Sequence, residues 1–264
     1  MSKLHWDDTG KRYFELGVKK CVLFKMNGEK YRSGVAWSGV TNITEKLEGA
    51  EENAFWADGL KYASLITTED FKATLEAYQC PPEFYECEGI SSIDFNSGRG
   101  NGLYATNQNR ARFGLCYTTT VGNDVKGVDG TEKIHLIYNA AAAPSERSYA
   151  TLNQSPDTMT LSWEITTMPM FFSVNHRPSA HFVIDTSKIS KTLKSSIEKV
   201  LYGTDTTAPT LPAIYEWQKQ VYKDGSTNVQ YFTVSLQELL TYPVLTDASG
   251  NIVVDKDDRA VLMR

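Results

Sequence analysis

The segment "TMTLSWEITTM" (158–168) alternates apolar and polar residues almost without a fault. Met159, Leu161, Trp163, Ile165 and Thr167 fall on one face of an extended chain. Thr158, Thr160, Ser162, Glu164, Thr166 and Met168 fall on the other. Successive side chains of a strand point to opposite faces, so a period of two sustained this long specifies a strand with one buried and one wet side. The same period recurs in "FKATLEAY", with Phe71, Ala73, Leu75 and Ala77 against Lys72, Thr74, Glu76 and Tyr78, and in "ARFGLCYTTTV", "KIHLIYNA", "RSYATLN" and "SAHFVIDTS". Two hairpins are marked by Asn27-Gly28 and Asp58-Gly59 between such runs. Many short strands separated by turns predict a mostly β protein, two antiparallel sheets packed as a sandwich or distorted barrel.

One helix interrupts this pattern. Ile189, Leu193, Ile197, Val200 and Leu201 recur at helical spacing, with Ser187 as the expected N-cap and Gly203 just past the end. A shorter helical turn is expected at "PPEFYECEG", opened by Pro81-Pro82. The acidic, aperiodic 45–55 and the Gly/Asn/Ser-rich 91–109 read as long loops. After Gly203 the texture changes to the linker-like "TDTTAPTLP". The expected organisation is a β domain over 1–203, then a linker and a small appendage over 204–264. The appendage is expected to hold one hairpin turned at Asp224-Gly225 and a second within 242–264.

Composition and motifs narrow the function by exclusion. With 41% apolar and 22% charged residues the chain is globular, and a net charge of −5 disfavours wrapping of nucleic acid by a basic surface. No run of ~18 apolar residues marks a membrane span, and the start has no secretory pattern. Cys21, Cys80, Cys87 and Cys116 form no C-x-x-C pair and are expected as free thiols; the Cys80–Cys87 spacing alone argues for no bridge. There is no G-K-[ST] and no G-x-S-x-G, and the glycines of "SGRGNG" are not followed by a helix. Among four histidines, His135 is placed on a strand face opposite Leu136. Pro178 denies His176 and His181 a regular helical pair for zinc. Glu76 and Glu164 sit on polar faces with nothing to make them an acid–base pair. "DVKGVDG" and "DKDDR" lack a calcium loop. The expectation is a protein with no catalytic residues, cofactor or metal, working by binding or assembly.

Read in order, "TGKRYFELGVKKCVLF", "GVAWSGVTNITE", "NQNRARFGLCYTTTVGND", "KIHLIYNAAAAPSERSYATLNQSPDTMTLSWEITTMP" and "EKVLYG" resemble the major tail proteins, the tail tube subunits, of long-tailed bacteriophages and prophages of Gram-positive bacteria. The resemblance spans roughly residues 9 to 203. It implies a tail-tube fold with a flanking helix and long inter-subunit loops. It also implies self-assembly into hexameric rings stacked as a tube, through which DNA passes without specific binding. Tape measure, tail-tip and terminator proteins are the implied partners, and the virion tail, made in the host cytoplasm, is the implied location. The 60 or so residues after Gly203 depart from the family pattern. On this reading Thr160, Ser162, Glu164, Thr166, Glu76 and Thr74 are candidates for the lumen, where uncharged or acidic side chains let phosphates pass. Glu48, Glu51, Glu52, Phe55 and Trp56 are candidates for a loop that docks on the next subunit. The rival reading is a carbohydrate-binding β-sandwich using Tyr215, Trp217 and Tyr231.

Overall fold

The computed structural model describes residues 5–49, 52–66, 69–93, 102–144, 147, 149, 151, 158–173, 176–222 and 229–241. The chain divides into two compact units, Met1–Leu211 and Pro212–Arg264. The first unit holds strands β1 (Tyr13–Asn27), β2 (Lys30–Tyr31), β3 (Val35–Ala36), β4 (Val40–Glu48), β5 (Glu52–Ala57), β6 (Leu60–Ile66) and β7 (Asp70–Ala77). Helix α1 (Tyr85–Glu88) follows, then β8 (Ser91–Ser92), β9 (Tyr104–Ala105), β10 (Phe113–Asn123), β11 (Gly127–Pro144), β12 (Leu161–Thr167), β13 (His181–Asp185) and helix α2 (Lys191–Tyr202). The second unit holds β14 (Trp217–Tyr222), β15 (Val229–Val234) and a short helix α3 (Leu236–Thr241).

The mostly β expectation holds, but one continuous antiparallel sheet supplies the main layers. Its order is β2-β1-β10-β11-β12-β7-β4, with β3 added to β1 and β13 to β11. Among the described residues it does not close into a barrel. Strand β11 makes this path possible. Along one edge it pairs with β10 over most of its length, while its other edge takes β13 at Lys133–Ile137 and β12 at Ala140–Pro144. The change of partner falls at Asn139, whose φ is +51°, beside an extra residue in the β10–β11 register. A bulge bends a strand and sharpens its twist, and Asn tolerates the left-handed conformation better than most residues. The backbone groups freed there are met: Asn139 N donates to Tyr31 Oη at 2.9 Å, and Arg112 Nη1 donates to Asn139 O at 2.9 Å.

The inward face of the bent sheet holds the core. Leu23, Trp37, Leu75, Phe113, Leu115 and Ile165 surround Trp163 there. The Trp163 ring lies 5.4 Å from Trp37 and 5.2 Å from Phe84, both edge-on. The indole N–H of Trp163 donates to Glu88 Oε2 at 2.7 Å, and Arg147 donates to the same oxygen at 2.6 Å. Phe84 and Glu88 are delivered by the expected turn after Pro81-Pro82, a 3-10 turn running into α1 and ended by Gly89 at φ +83°.

Alternation in β10 predicts one polar face, yet Cys116 and Thr118 are as buried as Phe113 and Leu115. The second face is covered. Ile197 and Leu201 of α2 are buried, and a side chain on Gly114 would collide with Leu211. Residues 204–211 belong to this packing, since Gly34 N donates to Pro209 O and Thr210 N to Val200 O, each at 2.8 Å. Lys194 of α2 and Lys20 of β1 both reach Glu132. All four cysteines are free, and burial pushes Cys87 and Cys116 up to about 12 and Cys80 to about 11.

Several local expectations shift. The first hairpin turns at Gly28-Glu29, one residue later than expected, because Asn27 pairs with Lys30. The cap of α2 is Ser190, whose hydroxyl accepts from Leu193 N; the chain is still extended at Ile189, and Asp185 caps a separate 3-10 turn at Thr186–Lys188. The 45–55 loop is largely strand: Glu45–Glu48 end β4 and Glu52–Phe55 begin β5. In 91–109, β8 pairs with β9. The 94–101 stretch, most of the "RSYATLN" strand, the Asp224-Gly225 turn and the hairpin in 242–264 lie outside the described residues. The strands flanking that turn pair as expected, from Tyr222↔Val229 to Trp217↔Val234.

Two measurements check this packing. Trp163→Ala removes the ring at the centre of the core and one of the two donors to Glu88, so urea denaturation should show a loss of about 3–5 kcal/mol. Burial raises the Glu132 carboxyl, but hydrogen bonds from Lys194 and Lys20 outweigh it and hold the group below its usual 4.5. Its contribution is present above that value and lost as the pH falls toward the lower folded-state value. Acid titration of Tm should therefore be shallower in Glu132→Gln than in the parent protein.

Candidate functional site

The polar face named from the alternation is assembled by strand pairing. Ser162 lies opposite Glu76, Glu164 opposite Thr74 and Thr166 opposite Lys72. On the other side of β7, Asn42, Thr44 and Lys46 lie opposite Glu76, Thr74 and Lys72. Directly paired residues share a face, so five of the six candidates, Ser162, Glu164, Thr166, Glu76 and Thr74, form one surface over β4, β7 and β12. Thr160 is exposed just ahead of β12. The two lysines on this surface are not free cations, because Lys46 and Lys72 both pair with Glu48. Glu48 therefore sits on the polar surface, in β4, apart from the other candidates of its group.

Glu52, Phe55 and Trp56 lie in β5, which among the described residues pairs only with β6, across the expected Asp58-Gly59 turn. Both turn residues have positive φ, +50° and +75°, as a two-residue turn matched to strand twist requires. Glu52 is paired with Lys61 and Ser64. Every residue from Glu52 to Leu65 is exposed, including Phe55, Trp56, Leu60, Tyr62 and Leu65; Trp56 keeps 69% and Tyr62 81% of its surface. Glu51 lies outside the described residues.

A third constellation went unread in the sequence. Glu45 faces inward on β4, opposite Ala73, and meets Tyr117, His135 and His181. His135 is buried at 5% exposure rather than solvent-facing, because Tyr117 of β10 pairs directly with it and stacks on it at 4.6 Å. His135 Nδ1 is 3.2 Å from both Glu45 Oε1 and His181 Nε2. The bond to His135 holds the Glu45 carboxyl down at about 2 against its burial, with the Tyr117 hydroxyl adding to the effect. Burial takes His181 down to about 4, against the pull of Glu45. His176 is exposed and lies apart from this cluster, with its Nδ1 3.2 Å from Ser173 Oγ. Only the inward parity of His135 hinted at this; nothing local ties it to Glu45 or His181.

No protein-family model and no curated protein matches the chain. Among solved structures, a chain in the cryo-EM structure of the anti-feeding prophage (AFP) baseplate, 6-fold symmetrised, is 9% identical, with 69% of this chain and 98% of that chain covered at a TM-score of 0.28. A likeness that small carries no argument about function. No helix among the described residues is long and apolar enough to cross a membrane.

The polar face has few structural duties. Glu164→Gln should change stability by less than about 0.5 kcal/mol in urea denaturation, as exposed positions without buried partners do.

Proposed function

We propose that the protein is a structural virion subunit that self-assembles, and that the assembly is the hexameric-ring tail tube implied by the sequence resemblance. The observation that carries self-assembly is the β5–β6 hairpin. An isolated two-stranded hairpin is marginal in water, and this one exposes three aromatic and two leucine side chains along its length. Burying such residues is worth about 1.5–3 kcal/mol each, so a neighbouring subunit is the natural cover. The polar β4–β7–β12 surface suits a conduit, with Glu76 and Glu164 uncompensated by a free lysine there. Flexible attachment to phosphates would slow a passing duplex, and an acidic wall avoids it.

Of the three aromatics of the sugar-binding alternative, Trp217 is buried and the side chain of Tyr231 lies outside the described residues. Tyr215 remains exposed.

Negative-stain electron microscopy over a concentration series tests assembly: rings or hollow tubes are expected from the full chain. Replacing 53–65 by a short turn should leave a folded monomer, judged by circular dichroism and sedimentation. Tubes formed by that variant would remove the hairpin from the interface. In virions, the double change Glu76→Lys and Glu164→Lys should leave tubes intact and slow DNA ejection, more so at low salt; unchanged ejection would take this face out of the lumen.

A further inference from the structure

The Glu45–His135–His181 cluster brings a carboxylate oxygen and two ring nitrogens close together. The single proton of Thr119 Oγ1 goes to Glu15 Oε1, at 2.5 Å. Thr119 Oγ1 is then an acceptor for His135 Nε2 at 3.1 Å, so that nitrogen carries the hydrogen. A neutral imidazole has one N–H and one lone pair. The lone pair of His135 therefore sits on Nδ1, aimed at an ionised carboxylate oxygen and at another ring nitrogen, each 3.2 Å away. The proton of Tyr117 Oη is already given to Glu45. A proton on one of the two rings can fill this point, and so can a metal ion toward which all three groups turn their lone pairs.

We propose that Glu45, His135 and His181 form a binding site for a zinc-class divalent transition-metal cation. One carboxylate oxygen and one nitrogen from each ring lie within 4.8 Å of one another. Two of the separations, at 3.2 Å, approach the edge of a tetrahedron built on bonds of about 2.0 Å, roughly 3.3 Å. Imidazole with carboxylate favours zinc and its neighbours over calcium or magnesium, which take oxygen alone. The outer contacts have the form metal sites use. His135 Nε2 donates toward Thr119 and the Glu15 carboxylate, and Tyr117 donates to the liganding carboxylate. Glu45 keeps 38% of its side-chain surface, and His181 also lines a cavity of about 330 Å³ with Leu47, Phe71, Arg177 and Ser179. A bound ion would staple β4, at the end of the sheet path, to β11 and β13. This role is independent of tube assembly.

The test uses the full chain without an affinity tag, stripped with chelator and titrated with Zn²⁺ by calorimetry, with Co²⁺ as a spectroscopic substitute. One ion per chain, the visible absorption of four-coordinate Co²⁺ and a Tm that rises with Zn²⁺ are expected. Glu45→Gln and His181→Gln should each weaken binding by more than about tenfold and abolish the Tm rise, while His176→Gln should do neither. Because Glu45 is partly exposed and Gln is isosteric with it, that variant keeps the fold and decides the matter if His181→Gln does not. Absence of binding to the parent chain, or binding that survives Glu45→Gln, overturns the site.

Discussion

Strand β11 must serve two different neighbours on one edge, and the bend at Asn139 lets it do so. Strand β13 takes the half before the bend and β12 the half after. The bend also turns the β12–β7–β4 part of the sheet inward, so that Trp163 and Leu75 meet Leu23 and Leu115 in one core. A left-handed Asn costs free energy that the surroundings must offset. Tyr31 and Arg112 do this by hydrogen-bonding its N–H and C=O. Arg112 makes a second bond to the Asn139 side chain at 3.2 Å, which fixes the residue type as well as the backbone.

Bending the sheet leaves its concave side too wide to be filled by strand side chains alone. The turn at Pro82–Phe84 and α1 fill it, and they bring a carboxylate with them. Glu88 is 4% exposed and reaches both Trp163 and Arg147. A buried ion pair seldom adds net stability over apolar packing. What this one does add is direction. Only one orientation of the Trp163 ring lets its N–H reach Glu88, and the rings of Trp37 and Phe84 pack edge-on against that orientation. The pair thus helps choose one arrangement among several that hydrophobicity alone would accept.

Period-two patterning made the faces of β7 and β12 legible because each has one buried side and one wet side. It misjudged β10, where both sides are covered: Cys116 and Thr118 look like a polar face until α2 and Leu211 are laid over them. The hairpin turn at Asp58-Gly59 was legible from its residue types, whereas the first turn slipped to Gly28-Glu29 because tertiary pairing fixes the register of Asn27. Ser187 and Ser190 are equally good caps by composition, and only the extended backbone at Ile189 separates them. The Glu45 cluster was illegible for a different reason. His135 and His181 meet through the β11–β13 pairing, Glu45 of β4 reaches them only because the sheet curls, and a strand-length pattern contains no information about curl.

The position of the β5–β6 hairpin bears on its purpose. Strands β4 and β7 are direct neighbours whose pairing runs out to Glu48 opposite Asp70. A tight turn could join them there, and the core residues Phe71, Ala73 and Leu75 would keep every contact. The hairpin is therefore an insertion at the end of an already complete strand pair. Insertions at such points are tolerated because they cost the core little. Tolerance does not explain their composition: Phe55, Trp56, Leu60, Tyr62 and Leu65 all facing water is a solubility burden for a monomer. The turn residues and the cross-strand pairs hold the hairpin in a defined shape, so the exposed side chains are presented in fixed register rather than on a floppy tip. Preorganised apolar side chains that its own core does not need, presented on both faces of the hairpin, are what a surface made for a second subunit requires.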